Sequence, residues 1–404
     1  MTHSAEIKFS NFYIFMTFLR LGCIAFGGPA AHIVLFHNFL IKKLCWLDEQ
    51  EYFKVLALAQ IIPGPTSSQV GITIGYLKNG YSGAFCAWLG FTLPSAILMA
   101  GAAWLGQYFF ENLNLYFFHI IQLIVLAVVF WAFWQMLRSL CHHVWQYIVM
   151  LFSAIFIYAV PLSANQIIVI LLAAMVGLFL AQKKTKQNEE VEKNRFQLKS
   201  SKAYFWLILF ALPFLLFPIL NYLHPSLFIQ GFEHFYSSAS LVFGGGHIIL
   251  PLLHQDFVAT GLISNEKFDL GYAIAQLMPG PLFSFASYLG ALLPFTSSTL
   301  INASLATIMI YLPSFLLVFG TLPYWSWLMQ QQKIYKAIQG INAAVVGLLL
   351  CLIIQMTEKY IVQWLDVVFV IVVILLLKTK LPVWLTLIAS FVSYYIYLNT
   401  FVMS

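Results

Sequence analysis

The tripeptide Pro-Gly-Pro occurs twice, at Pro63–Pro65 and at Pro279–Pro281, each time inside sequence as apolar as a membrane-spanning helix. Proline lacks a backbone N–H and interrupts the helix that meets it, and in a bilayer no water reaches the groups so freed. A chain broken at that depth must bury the break in protein or turn it toward a polar cavity. Composition sets the depth: 61% of the 404 residues are hydrophobic and 8% are charged, against about 25% charged in ordinary soluble domains. Apolar runs such as 83–106 and 367–377 fill most of the chain, and about 20 residues suffice for a span. The fold class expected is an all-α polytopic membrane protein whose surroundings are the lipid bilayer.

The net charge of +6 does not signal nucleic acid, because the basic residues lie in short loops between apolar runs, where the positive-inside rule puts them. Nucleic acid is therefore not an expected partner. The five cysteines, Cys23, Cys45, Cys86, Cys141 and Cys351, show no metal-ligand spacing and read as small apolar side chains. Neither a metal nor another cofactor is expected. The N-terminus lacks a charged start and a small-residue cleavage site, and Arg20 interrupts its apolar run, so it reads as part of the mature protein.

Residues 182–202 are charged and almost free of apolar side chains, which makes them a solvated linker between segments 1–181 and 203–404. The two segments repeat one another. FGGPAAH (26–32), ALAQIIPGP (57–65), TLPSA (92–96) and IQLIVLAVV (121–129) recur in the same order as FGGGH (243–247), AIAQLMPGP (273–281), YLPSF (311–315) and IQGINAAVV (338–346). The offset between the copies is nearly constant. Loop charges give their orientation. With the linker cytoplasmic, the first-half loops after 107 alternate between uncharged and basic, whereas the matching second-half loops begin basic with Lys333 and Lys336, carry Lys359 beside Glu358, and end with Lys378 and Lys380. The second copy is inverted, and the additional apolar segment 203–223 supplies the odd crossing that inversion requires.

The segments 52–62 and 66–77 are each about 16 to 18 Å long as helix, too short for a hydrocarbon core of about 30 Å. Lys42, Lys43 and Lys54 before this pair and Lys78 after it favour both ends on one side. The motif then forms the tip of a re-entrant hairpin, with a second hairpin or a broken helix at FGG. Four full spans are expected after the hairpins of each half, and continuous proline-kinked helices are the alternative.

A helix that starts at Pro65 or Pro281 directs its unpaired N–H groups and the positive end of its dipole at the tip, an arrangement suited to an anion. The first copy adds Thr66, Ser67, Ser68 and Gln69, and the second offers Ser284. Pro63, Gly64, Pro65, Pro279, Gly280 and Pro281 form the tips themselves. Gly27, Gly28, Gly244, Gly245 and Gly246 leave room for backbone to approach a ligand, or act as packing or hinge positions. Arg20 suits a tetrahedral oxyanion if it lies at depth, and otherwise snorkels or caps carbonyls. His32 and His247 each follow a glycine-rich tip and could donate to ligand or carry a proton, or serve as structural residues. Gln60 and Gln276, three positions before each PGP, could bind ligand or satisfy broken backbone. Asp48, Glu49 and Glu51 form an acidic loop, solvated or in contact with Lys54. Neither half shows a clear buried acid for proton transfer.

These motifs, with WLDEQEY (46–52), QIIPGPTSSQVG (60–71), VFGGGHIILPLL (242–253) and AQLMPGPLFSFASYLGA (275–291), resemble the signatures of the chromate ion transporter family in its two-domain long form. The resemblance covers nearly the whole chain. It implies a bacterial inner-membrane carrier that exports chromate, a dianion shaped like sulfate, and leaves room for a homodimer. Alternating access between opposed hairpins follows from the inverted architecture. The same machine moving sulfate or another anion, or an anion channel, are the alternatives within transport. An enzyme would need a nucleophile, an acid–base pair or a metal constellation, and no such motif is found.

Overall fold

In the computed structural model the described residues are 9–109, 115–160, 165–181, 202–243, 246–379 and 381–401, and their regular structure is entirely helical. Gly244, Gly245 and all of the linker before Lys202 lie outside them. The first half comprises α1 (Asn11–Ile24), α2 (Gly28–Phe36), α3 (Glu49–Ile61), α4 (Thr66–Phe109), α5 (Leu115–Leu140), α6 (Val144–Ala159) and α7 (Asn165–Leu180). Then come α8 (Ala203–Leu223), α9 (Leu227–Ser240), α10 (Ile249–Leu253), α11 (Asn265–Leu277), α12 (Phe285–Leu292), α13 (Thr299–Thr321), α14 (Trp325–Gln330), α15 (Gln332–Tyr360), α16 (Trp364–Leu377) and α17 (Val383–Phe401). Among the described residues, five helical stretches are long and apolar enough to cross a membrane: 66–107, 116–140, 203–223, 299–324 and 332–360.

The chain divides into two compact units, each drawing on both halves of the sequence. The first contains residues 1–101, 196–242 and 278–326. Here α1 starts at Ser10, whose hydroxyl accepts from Tyr13 N at 3.2 Å. Asp48 and Glu51 form a capping box at the start of α3, with bonds of 2.7 and 3.1 Å, and Glu49 pairs with His37 at 2.9 Å. The acidic loop is thus a helix start. Phe18, Phe36, Trp46 and Phe91 pack edge to face at the centre of this part.

Within α4 the chain reverses at Asn79 and Gly80, where φ/ψ leave the helical region. The limbs 66–78 and 81–109 then run back against each other so closely that a Cβ on Gly75 would meet the carbonyl of Gly83, and the converse. The first limb is about 20 Å long and the second about 43 Å, so only the second matches a core of about 30 Å. In the second half a loop replaces that reversal, and Asn302 holds it by donating to Leu293 O (2.8 Å) and accepting from Thr296 N (2.9 Å). The large apolar side chains of α8 are mostly exposed, as expected of a helix surrounded by lipid.

The second unit contains residues 102–195, 243–277 and 327–404. Its central helix α15 packs on α5, α6 and α7. Gly340 of α15 meets the backbone of α7 at Ala173 and Gly177, and Gly347 meets Met150 O of α6, the close approach that small residues give membrane helices. The starts of α6 and α16 are pinned by side-chain caps. Gln146 accepts from His142 N (2.6 Å) and His143 N (2.9 Å), and Asp366 accepts from Val362 N and Gln363 N, both at 3.0 Å. Pinned so, α6 and α7 have 16 residues each and α16 has 14. Where four full spans were expected after the hairpins of each half, the described residues form a mixture of long and short helices.

Candidate functional site

Both Pro-Gly-Pro breaks lie in the first unit, and their backbones are satisfied in matching ways. Gly64 and Gly280 have φ of 128° and 111°, conformations natural to glycine and strained for any other residue. Gly64 N donates to Val242 O at 2.7 Å, and Gly280 N donates to Ala25 O at 2.8 Å. Ala25 and Val242 each directly precede a Phe-Gly-Gly sequence. The space over Gly64 is closed by Ser314 Oγ, 2.8 Å from where a Cβ would stand, and that over Gly280 by Ser95 Oγ, at 2.6 Å. Ser95 and Ser314 follow the intrahelical prolines Pro94 and Pro313. Each tip therefore rests on the Phe-Gly-Gly entrance and the Leu-Pro-Ser kink of the other half of the sequence.

Hydroxyls gather between these breaks. Ser284 and Ser95 share a 2.6 Å hydrogen bond; Ser95 donates its own proton to Thr92 O at 2.9 Å, so Ser284 is the donor to Ser95. Ser287 donates to Ala96 O at 2.8 Å. The Tyr311 hydroxyl lies against those of Ser68, Thr92 and Ser284, yet Ser68 Oγ, Thr92 Oγ1, Tyr311 OH and Ser314 Oγ have no partner within hydrogen-bond geometry. Ser68, Thr92, Tyr311 and Ser314 are at most 1% exposed. A buried polar group left unsatisfied costs about 1–3 kcal/mol, so this convergence is expensive unless a ligand or water completes it. The side chains that make up the cluster are themselves uncharged.

His32 is 1% exposed and stacks edge-on to Phe91. Its Nε2 lies 3.0 Å from Ala25 O, which can only accept, so Nε2 carries the proton of the neutral ring. Nδ1 then accepts from Ser67 Oγ at 3.4 Å. One carbonyl, that of Ala25, thereby ties His32 and the second Pro-Gly-Pro together. Gln69 is fully buried, and its amide donates to Pro63 O at 2.6 Å while Oε1 stays unpartnered. Gln69, rather than Gln60, satisfies the broken backbone.

Of the remaining sequence candidates, Thr66, Ser67, Ser284, Gly64, Pro65 and Pro281 are buried at the tips, and Pro63, Pro279 and Gly280 are half-buried there. The helix at Pro281 opens with a tight 3₁₀ turn through Leu282–Ser284. Gly27 and Gly28, both with positive φ, lead into α2. Arg20 and Gln60 are exposed, outside the buried cluster. Gly246, His247 and Gln276 belong to the second unit, where His247 Nδ1 and Tyr272 OH are 3.0 Å apart and Tyr272 also engages Gln276. His247 is not the positional counterpart of His32, since the offset between the copies pairs His32 with Ile249. Thr92, Ser95, Tyr311 and Ser314 were not among the sequence candidates. Their signal was present in TLPSA and YLPSF, read there as landmarks of the repeat.

Comparison with known proteins decides the family. The family model described as chromate transporter matches residues 12–178 and 229–394. The chain belongs to the chromate transporter family. For this chromate transporter family member, the two matches run from α1 into α7 and from α9 into α17, and leave out the linker and α8. It is 27% identical over 391 residues to an uncharacterized transporter of Methanocaldococcus jannaschii, covering 95% of this chain and 94% of the relative. It is 25% identical to a probable chromate transport protein of Synechococcus elongatus, over 82% and 80% of the two chains. To a chromate transport protein of Cupriavidus metallidurans it is 25% identical, over 90% and 87%. No solved structure matches the chain.

Proposed function

We propose that this protein is a secondary carrier that exports chromate, or a sulfate-like oxyanion, across a bacterial inner membrane, holding it at the hydroxyl cluster between the two Pro-Gly-Pro breaks. The observation that carries the reading is the set of buried, unpartnered hydroxyls on Ser68, Thr92, Tyr311 and Ser314. Each can donate to an oxygen of a tetrahedral anion, and the free N–H groups at the start of α4 add to them. The relatives described as chromate transport proteins supply the substrate class. Hydroxyls read oxygen geometry and not the central atom, so sulfate is the natural competitor.

The reciprocal seating of Gly64 on Val242 and of Gly280 on Ala25 supports two related halves, 1–181 and 203–404, joined by the linker 182–202. The short arms on either side of the first break, α3 and the first limb of α4, support a re-entrant hairpin there. Inverted halves with discontinuous helices at their meeting point suit alternating access. Arg20, exposed on α1 and without an ion pair among the described residues, is read as drawing the anion toward the site.

The test is uptake of labelled chromate by the purified protein in phosphatidylethanolamine–phosphatidylglycerol vesicles, with and without excess sulfate. Saturable flux inhibited by sulfate is expected. Flux linear in chromate concentration would replace the carrier with a channel, and no flux from folded, inserted protein would remove chromate as substrate.

A further inference from the structure

The second unit holds a buried acid that motif reading did not single out. Asp269, in the second turn of α11, is 1% exposed. Its Oδ2 accepts from Tyr360 OH at 2.6 Å, while Oδ1 is buried without a partner. No Lys or Arg forms an ion pair with it among the described residues. Tyr360 also reaches Asn265 Oδ1 at 3.4 Å, and His254 Nε2 lies 3.3 Å from the same oxygen. The charged groups that act on Asp269 are Glu266 of its own helix and Lys359 of α15.

Besides the end of α15, which brings Tyr360 and Lys359, the elements packed on α11 include α5, α17 and the π-helical turn His254–Val258. From α5, His119 bonds to Asp366 and Arg138 stacks on Trp134; from α17, Tyr394 bonds to Asp366. The π turn brings His254 and Asp256. None of these supplies a cation bonded to Asp269.

A carboxylate buried with one oxygen unpaired and no bonded cation is costly, and a proton removes that cost by neutralising it and giving the free oxygen a hydrogen to donate. The contrast with Asp366 is instructive. That carboxylate is equally buried, but it accepts from two backbone N–H groups, Tyr394 and His119, and needs no proton. Nor does packing demand an acid at Asp269, because the corresponding residue of the first half is Phe53, which is exposed. Solution is near: Lys267 and Ser264, within about a turn and a half along the chain, are exposed.

We propose that Asp269 is a proton-binding site whose proton exchanges with solution during the transport cycle and links net anion movement to a pH gradient. Tyr360 positions the carboxyl and donates to it when the proton has left. The link to anion movement rests on the carrier reading above; the occupancy of the site does not.

Two measurements on the full chain in the vesicles described above test this. Infrared spectra at pH 7 are expected to show the C=O stretch of a protonated, buried carboxyl in the wild type, its loss in Asp269→Asn, and a frequency shift in Tyr360→Phe. Net chromate flux in the wild type is expected to respond to an imposed pH gradient. Asp269→Asn, which keeps an acceptor for Tyr360, should lose that response while retaining one-for-one chromate exchange. A wild-type spectrum without the band, or a variant with the full gradient response, overturns the proposal. If the wild type moves no chromate, the carrier reading falls, and the infrared band alone then supports or overturns Asp269 as the proton site.

Discussion

Tyr311 and Ser68 bury hydroxyls that find no partner among the protein's own groups, so removing them takes away a desolvation penalty together with any ligand contact. Tyr311→Phe and Ser68→Ala should leave the melting temperature unchanged or raise it, and should raise the KM for chromate about tenfold each, equivalent to about 1.4 kcal/mol for one hydrogen bond to a charged group. Thermal unfolding in detergent and vesicle flux check the two halves of that statement. A fall in stability with unchanged flux would return these hydroxyls to packing. Asp366→Asn should behave in the opposite sense. Both backbone N–H bonds at the start of α16 go to one carboxylate oxygen, which Asn can still supply, but its NH2 cannot accept from Tyr394 and His119 at the other, and that loss with the charge should cost about 1.5–3 kcal/mol, lowering the melting temperature while flux per folded molecule persists. At this scale Ser67 and Ser68 were legible because they follow a helix-breaking motif. Asp269 was not, because burial of a lone acid depends on Tyr360, 91 residues away in sequence.

The breaks in the helices were legible from proline and glycine chemistry alone, and the structure places helix ends at Ile61 and Thr66 and at Leu277 and Leu282. What each broken end rests on was not legible. Gly64 sits against Ser314 and Gly280 against Ser95, and no local pattern states that a tip packs on the opposite half. The end of the first limb of α4 was legible too, because the short arm 66–77 stops at Lys78 and the next apolar run opens at 83, and the chain turns between them at Asn79 and Gly80. Gly280→Ala should therefore be disproportionately harmful for so small a change. At φ 111° a Cβ is strained, a penalty of about 1–3 kcal/mol, and it would also press on Ser95 Oγ, itself bonded to Ser284. Lower thermal stability and weaker chromate transport together are expected, whereas Gly101→Ala, at a position with open space around it, should be neutral in both. Equal behaviour of the two variants would show that the tip is not held tightly.

Inversion is a property of the whole chain and depends on one helix, α8, which packs on α9 and α13 and leaves most of its large apolar side chains exposed. If α8 crosses the membrane, the second half starts from the opposite face, and every later loop exchanges sides with its first-half counterpart; without that crossing, the halves would be parallel and both sets of tips would enter from one face. The turn between α5 and α6 and the turn between α15 and α16 make the comparison direct, because each joins the corresponding pair of helices and each exposes a residue suitable for labelling, His142 in the first and Val362 in the second. In a chain whose five cysteines have been replaced, His142→Cys should react with a membrane-impermeant maleimide added from the cytoplasmic side, and Val362→Cys from the outer side. The charge pattern points the same way, with Arg138 near the first turn and Lys359 offset by Glu358 near the second. Labelling of both cysteines from one side would mean parallel halves. The reciprocal seating of the Pro-Gly-Pro tips would survive that result, but the two entrances required for alternating access by inverted halves would not.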